Sequence, residues 1–169
     1  GILGLGKLGL QVARVGLAFG MKVQAWSTNL TPDRCAECGV EFASREELFA
    51  TSDIVTVHLV LSDRTRGLIG ATEFEMMKAS AYLVNTSRGP IVRESDLISA
   101  LQGGAIAGAG LDVYDNEPLP HDHPLRGLDN AVLTGHTGYV MRENYITGYR
   151  GVVEVIKAWL DGEPVRLLN

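Results

Sequence analysis

Short apolar runs alternate with amphipathic stretches along this chain, and nearly every run ends at glycine, proline or a polar cluster. That alternation predicts strands separated by helices, hence an α/β domain built on a parallel sheet. Ile2-Leu3 ends the first strand, and residues 7–19 carry Leu8, Val12, Val15 and Phe19 at helical spacing until Gly20 stops the helix. Val23-Gln24-Ala25-Trp26 reads as the second strand, followed by a short helix over 31–38 with Thr31 as its cap and Pro32 in its first turn. Ser44 caps another helix through Phe49, and residues 53–59, Asp-Ile-Val-Thr-Val-His-Leu, form a strongly apolar buried strand. A helix over 71–78 brings Met76 and Met77 as core filler, and residues 81–85 form the next strand. A helix from Ser95 to Gln102 closes at Gly103-Gly104, and the strand over 105–111 is rich in small residues that permit close packing. After a loop at 116–127 and a last strand at 131–134, residues 142–160 make one long amphipathic helix with Val152, Val153, Ile156, Trp159 and Leu160 as its stripe. The pattern specifies a doubly wound sheet.

Size and charge narrow the partners. The 169 residues, 46% apolar and 21% charged, suffice for one domain with a full core. A net charge of −5 without a dense run of Lys or Arg argues against nucleic acid as a partner. No apolar stretch approaches the roughly 18 residues needed to cross a bilayer, so no membrane partner is expected. Cys35 and Cys38 fall inside the short second helix, where a redox motif would not lie, and read as reduced cysteines of a cytoplasmic protein. Neither they nor His121 and His123 have enough further ligands nearby for a metal, so no metal site is expected.

The first chemistry is Gly4-Leu5-Gly6-Lys7-Leu8-Gly9, a GxGxxG turn between strand and helix. Its glycines permit a tight turn, close backbone approach to a pyrophosphate, and helix–strand packing, while the helix N-terminus supplies partial positive charge. Gly4, Gly6, Lys7, Leu8 and Gly9 are therefore candidate contacts to a dinucleotide. Only three residues precede the first glycine, fewer than the roughly 5–6 of an ordinary strand, so a preceding segment is expected. About 20 residues on, the fingerprint expects a carboxylate for the adenosine ribose. Ser27, Thr28 and Asn29 stand there instead, with Arg34 as the nearest cation, which leaves NAD and NADP both open.

Three later segments each follow a strand: Asn85-Thr86-Ser87-Arg88-Gly89-Pro90, residues 110–118 with Asp112 and Glu117, and Leu133-Thr134-Gly135-His136-Thr137-Gly138-Tyr139. Carboxyl ends of parallel strands point into the ligand crevice, so Arg88, Glu117 and His136 are expected to converge near the nicotinamide.

With these blocks, and with His58-Leu59, Thr65 to Ile69 and His123-Pro124-Leu125 in the same order, the chain resembles the D-isomer-specific 2-hydroxyacid dehydrogenases over essentially its whole length. The resemblance implies a Rossmann domain over residues 1–139 and, over 140–169, a returning helix and tail that pack on a substrate domain contributed by the N-terminal portion. It implies Arg88, Glu117 and His136 as the catalytic set, and Asp112 as a contact to the nicotinamide carboxamide. His58, Thr65, Thr86, His136 and Gly138 join the candidate cofactor contacts, His123 falls in a structural turn, and a homodimer through the nucleotide domain is implied. The chemistry suits these side chains. Oxidising a 2-hydroxy acid removes a hydride from carbon and a proton from oxygen; His136 can exchange that proton, and a carboxylate such as Glu117 would orient its ring. Arg88 offers fixed charge to the substrate carboxylate and carbonyl.

The departures are Gly135, where the family usually has proline, and Tyr139, which would either face substrate or begin the long helix. The missing front half implies a chain that binds dinucleotide without turning over a small 2-hydroxy or 2-keto acid by itself. Two rivals share the motifs: a dinucleotide-sensing corepressor of the C-terminal-binding-protein type, and an inactive truncated product.

Overall fold

In a computed structural model, residues 1–167 are described, and they divide into two compact units, Gly1–Gly135 and the stretch from His136 onward. The first contains β1 (Ile2–Leu3), α1 (Lys7–Ala18), β2 (Gln24–Trp26), α2 (Pro32–Glu37), β3 (Glu41–Phe42), α3 (Arg45–Thr51), β4 (Ile54–Val57), α4 (Ala71–Met76), β5 (Tyr82–Asn85), α5 (Glu94–Gln102), β6 (Gly108–Leu111) and β7 (Ala131–Leu133). The sheet is seven-stranded and wholly parallel, in the order β3-β2-β1-β4-β5-β6-β7. The order reverses between β1 and β4, which opens a crevice at their carboxyl ends. The doubly wound architecture thus stands.

Local chemistry explains the boundaries. The Thr31 hydroxyl accepts from the Arg34 N–H and starts α2, and Ser44 and Glu47 form a reciprocal capping box on α3. Several strands are shorter than their apolar runs: residues 53–59 give only Ile54–Val57, and residues 105–111 only Gly108–Leu111. The edge strand β3 was not expected, because its two residues, Glu41 and Phe42, are exposed and carry no buried-strand signature.

Side chains alternate across the sheet, so β1 gives Ile2 to one core cluster and Leu3 to the other. The larger cluster, with Phe49, Val57, Phe74, Leu83 and Leu111, lies on the side that α3, α4 and α5 cover; Met77 is buried in it and Met76 packs against it. The smaller joins Ile2, Ala13, Ala25 and Cys35 beneath α1 and α2. Cys35 and Cys38 are both free thiols, and burial pushes the Cys35 thiol up.

The helical spacing over 7–19 does give α1, but its large apolar residues point away from the sheet. Leu8, Val12, Val15 and Phe19 do not face the core but are 71%, 40%, 56% and 81% exposed. The buried face of α1 is Gly9 and Ala13, and a Cβ on Gly16, one turn further along, would approach Val23 to 3.1 Å. The helix lies so close to the sheet that only small residues fit beneath it.

The second unit, taken by itself, contains α6 (Arg142–Leu160). None of its helical residues is buried, and Val152, Val153, Ile156, Trp159 and Leu160 are all exposed. Tyr145 stacks on Tyr149, and Arg166 pairs with Glu154 at 2.6 Å. No helix among the described residues is long and apolar enough to cross a membrane.

Candidate active site

Strand register organises the site. Leu3 pairs with Trp26 and with Val57, Val57 with Asn85, Asn85 with Leu111, and Leu111 with Leu133. These residues form one row across the carboxyl end of the sheet. The residues that immediately follow the row are Gly4, Ser27, His58, Thr86, Asp112 and Thr134. Five of these six were expected from sequence to touch cofactor; Thr134 was not.

At the centre of the row the glycine turn has the three properties that its spacing predicts. Gly4 runs at φ +98°, and a Cβ there would lie 2.7 Å from the His58 carbonyl oxygen. A Cβ on Gly9 would overlap the Gly4 carbonyl, so α1 can pack here only through glycine. A Cβ on Gly6 would meet no protein atom within 4 Å, which leaves that approach to the backbone open. No side chain caps α1, and no acidic residue stands in its first turn, where Lys7 and Leu8 are exposed. An uncapped helix N-terminus beneath an open glycine fits a diphosphate, so the residues present suit a dinucleotide.

Beside it, the Gly4 N–H donates to the Trp26 carbonyl at 2.9 Å, which ties the end of β2 to the turn. Leu30 N–H to Ser27 C=O, at 3.0 Å, closes the Ser27–Asn29 bend, where Thr28 and Asn29 are exposed. Arg34 is engaged by Glu37 at 3.0 Å on the surface of α2. On the other side, His58 Nε2 lies 3.0 Å from Thr56 Oγ1, and burial lowers the pKa of the imidazole. The Thr65 hydroxyl is used within its own turn, donating to the Val60 carbonyl at 2.7 Å and accepting from the Ser62 N–H at 2.8 Å.

Buried polar side chains shape the next two loops. Asn85, 1% exposed, donates to the Arg88 carbonyl at 3.0 Å and accepts from the Ser87 N–H at 3.1 Å. The Ser87 hydroxyl donates to the Leu59 carbonyl at 2.5 Å. Thr86 and Arg88 are consequently presented outward and are exposed. A Cβ on Gly89 would overlap the Tyr114 carbonyl, so the Arg88 loop rests directly on the loop after β6. In that loop Asp112 is buried, and the Tyr114 N–H donates to Glu117 Oε1 at 2.9 Å. Asp115 has its pKa raised by burial and by Glu94, against the opposing Arg66 and His123.

His123 acts in a structural turn, as the resemblance implied. Its Nε2 is 3.0 Å from Glu94 Oε1, and its Nδ1 accepts from the Leu125 N–H. Because Nδ1 accepts, the ring proton sits on Nε2 and points to the carboxylate.

His136 and Gly138 fall in the second unit. His136 has φ +56°, a left-handed conformation uncommon away from glycine, and its ring meets that of Tyr139 edge-on at 5.9 Å. Tyr139 therefore precedes α6 rather than beginning it.

The NAD-binding domain of D-isomer specific 2-hydroxyacid dehydrogenases matches residues 1–138. The chain belongs to that family. It is 42% identical over 170 residues to a glyoxylate reductase of Aeropyrum pernix, covering all of this chain and 51% of that protein. A candidate D-3-phosphoglycerate dehydrogenase from Ralstonia solanacearum superposes with a TM-score of 0.94 at 37% identity, covering 99% of this chain and 49% of that one. An acyclic imino acid reductase solved with NADPH and D-Arg superposes at 0.79 with 30% identity, covering 99% and 52%. The chain thus spans about half the length of these relatives. By the family match this chain is an NAD-binding domain, and the imino acid reductase it resembles was solved with NADPH.

Proposed function

We propose that this chain is the cofactor-binding half of an NAD(P)-dependent D-2-hydroxyacid dehydrogenase, working in cells as a 2-keto acid reductase. The observation that carries the reading is the register row: the glycine turn, the Ser27 bend, His58, Thr86 and Asp112 follow one line of paired residues, at the sheet edge where a dinucleotide lies. When bound, the dinucleotide supplies hydride transfer at its nicotinamide.

The chain's own groups then divide the remaining work. Gly4, Gly6 and Gly9, with the N-terminus of α1 at Lys7 and Leu8, hold the diphosphate, while Ser27, Thr28 and Asn29 receive the adenosine ribose with or without its phosphate. Asp112 directs the nicotinamide carboxamide, with His58, Thr65, Thr86 and Gly138 around the cofactor. Arg88 binds the substrate carboxylate and steadies charge on the carbonyl oxygen. His136 takes the hydroxyl proton in oxidation and returns it in reduction, and Glu117 orients the imidazole and favours its protonated form.

The reading includes a homodimer through the nucleotide domain, supported by the exposed apolar face of α1, and a cytoplasmic setting, supported by two free thiols. Residues from 140 onward pack on the substrate domain, which accounts for an α6 with no buried residue.

The test is steady-state reduction of 2-keto acids by the full-length protein, with His136→Gln beside it. The variant should lose turnover by about a hundredfold or more while cofactor affinity stays within about threefold. Equal loss of both would count against His136 as the acid–base group. Dinucleotide binding without any turnover by the full-length protein would favour the sensing module instead.

A further inference from the structure

Thr134, the sixth residue beyond the register row, has no role in the reading above, yet its N–H, its carbonyl and its hydroxyl are all engaged. Its N–H donates to the Leu111 carbonyl at 2.9 Å. Its own carbonyl accepts from the phenol of Tyr114 at 2.7 Å, and that phenol, on a side chain only 6% exposed, also reaches the Leu111 carbonyl at 3.2 Å. The backbone of Thr134 is thus fixed by the last residue of β6 on one side and by the loop after β6 on the other. From there its hydroxyl donates to Asp112 Oδ1 at 2.5 Å, while the Leu111 carbonyl is a distant competitor at 3.4 Å.

We propose that Thr134 is a positioning residue for the nicotinamide: by holding Oδ1 it fixes the rotation of the Asp112 carboxylate, and so the direction in which that group meets the carboxamide. The inference rests on the cofactor reading above. A charge-assisted O–H···O⁻ bond is about twice as strong as a neutral one, and Asp112, 6% exposed, has little water to replace a lost donor. The effect belongs to one end of the ligand. Three strand spacings of about 4.8 Å separate β6 from β1, roughly 14 Å in all, so the diphosphate turn lies outside its reach.

The experiment titrates the full-length protein with NADH, followed by nicotinamide fluorescence, and with ADP-ribose, which lacks the nicotinamide, by calorimetry. Thr134→Val should weaken NADH about tenfold and alter the bound nicotinamide emission, with ADP-ribose changed less than about twofold. Thr134→Ser keeps the donor and should bind NADH within about twofold of the native chain. Equal weakening of both ligands by Thr134→Val would reduce the residue to a structural one and overturn the proposal. So would unchanged NADH affinity, or a Ser variant as weak as the Val variant. A native chain that binds ADP-ribose and NADH alike leaves the cofactor reading standing, and identical behaviour of all three proteins then overturns the Thr134 inference alone. A native chain that binds neither ligand defeats both.

Discussion

Beyond β1 the chain is placed by atoms it lacks: Gly4 runs at φ +98°, Gly9 leaves no room for a methyl against the Gly4 carbonyl, and Gly6 stands open. Beyond β5 and β6 it is placed by polar atoms that it buries, with the Asn85 amide bridging Ser87 and Arg88, the Tyr114 phenol spanning Leu111 and Thr134, and Thr134 holding Asp112. In the function proposed above, the two regions serve different groups, the first the diphosphate of the dinucleotide and the second its carboxamide and the keto acid. A diphosphate is recognised by backbone N–H groups and a helix dipole, which need close approach more than direction. A carboxamide and a 2-keto acid are recognised by directional hydrogen bonds, which need side chains locked in rotation.

If that contrast is sound, the two regions should fail in different ways. Gly9→Ala should give the largest effect, a loss beyond ~3 kcal/mol in urea denaturation, because neither the helix nor the Gly4 carbonyl can move aside. Gly6→Ala sharpens the point: it should cost less than about 1 kcal/mol yet weaken dinucleotide binding by about tenfold or more. Equal destabilisation by the two would break the contrast. Asn85→Ala should cost about 2 kcal/mol, since it strands the Ser87 N–H and the Arg88 carbonyl, and on the proposed role of Arg88 it should raise KM for the keto acid in the full-length protein.

Smaller effects follow at the periphery. On the proposed role of the Ser27–Asn29 bend, Ser27→Asp puts a carboxylate beside the adenosine ribose and should shift the NADH-to-NADPH affinity ratio about tenfold toward NADH. The smallest concerns pH. Burial lowers the pKa of His58, so the folded state binds this proton less readily than the unfolded chain does. Its contribution is complete above the ordinary histidine value and is lost as pH falls below it. Thermal melts from about pH 7 to about pH 5.5 should therefore fall less steeply for His58→Gln than for the native chain.

Much of this was legible beforehand. Apolar runs marked the strands other than β3, and the glycine spacing marked the turn, because both depend on local backbone geometry. The face of α1 was not legible. Leu8, Val12, Val15 and Phe19 share helical spacing with the rival seam of Gly9, Ala13 and Gly16, and periodicity cannot say which one faces the sheet. The closeness of β1 decides for the smaller residues. Thr134 and Tyr114 escaped notice for a related reason: each looks ordinary in its block, and their roles arise from pairing between residues some twenty positions apart.

Sequence alone settled the α/β class, the strand-to-helix glycine turn, the family blocks and the absence of a carboxylate after β2, since each is written in residue type and short-range spacing. Tertiary structure decided which stripe of α1 is buried, which six residues follow a single register row, and which hydroxyl holds Asp112. Those depend on strand pairing and on distances between segments remote in the chain, quantities that exist only once the sheet has formed.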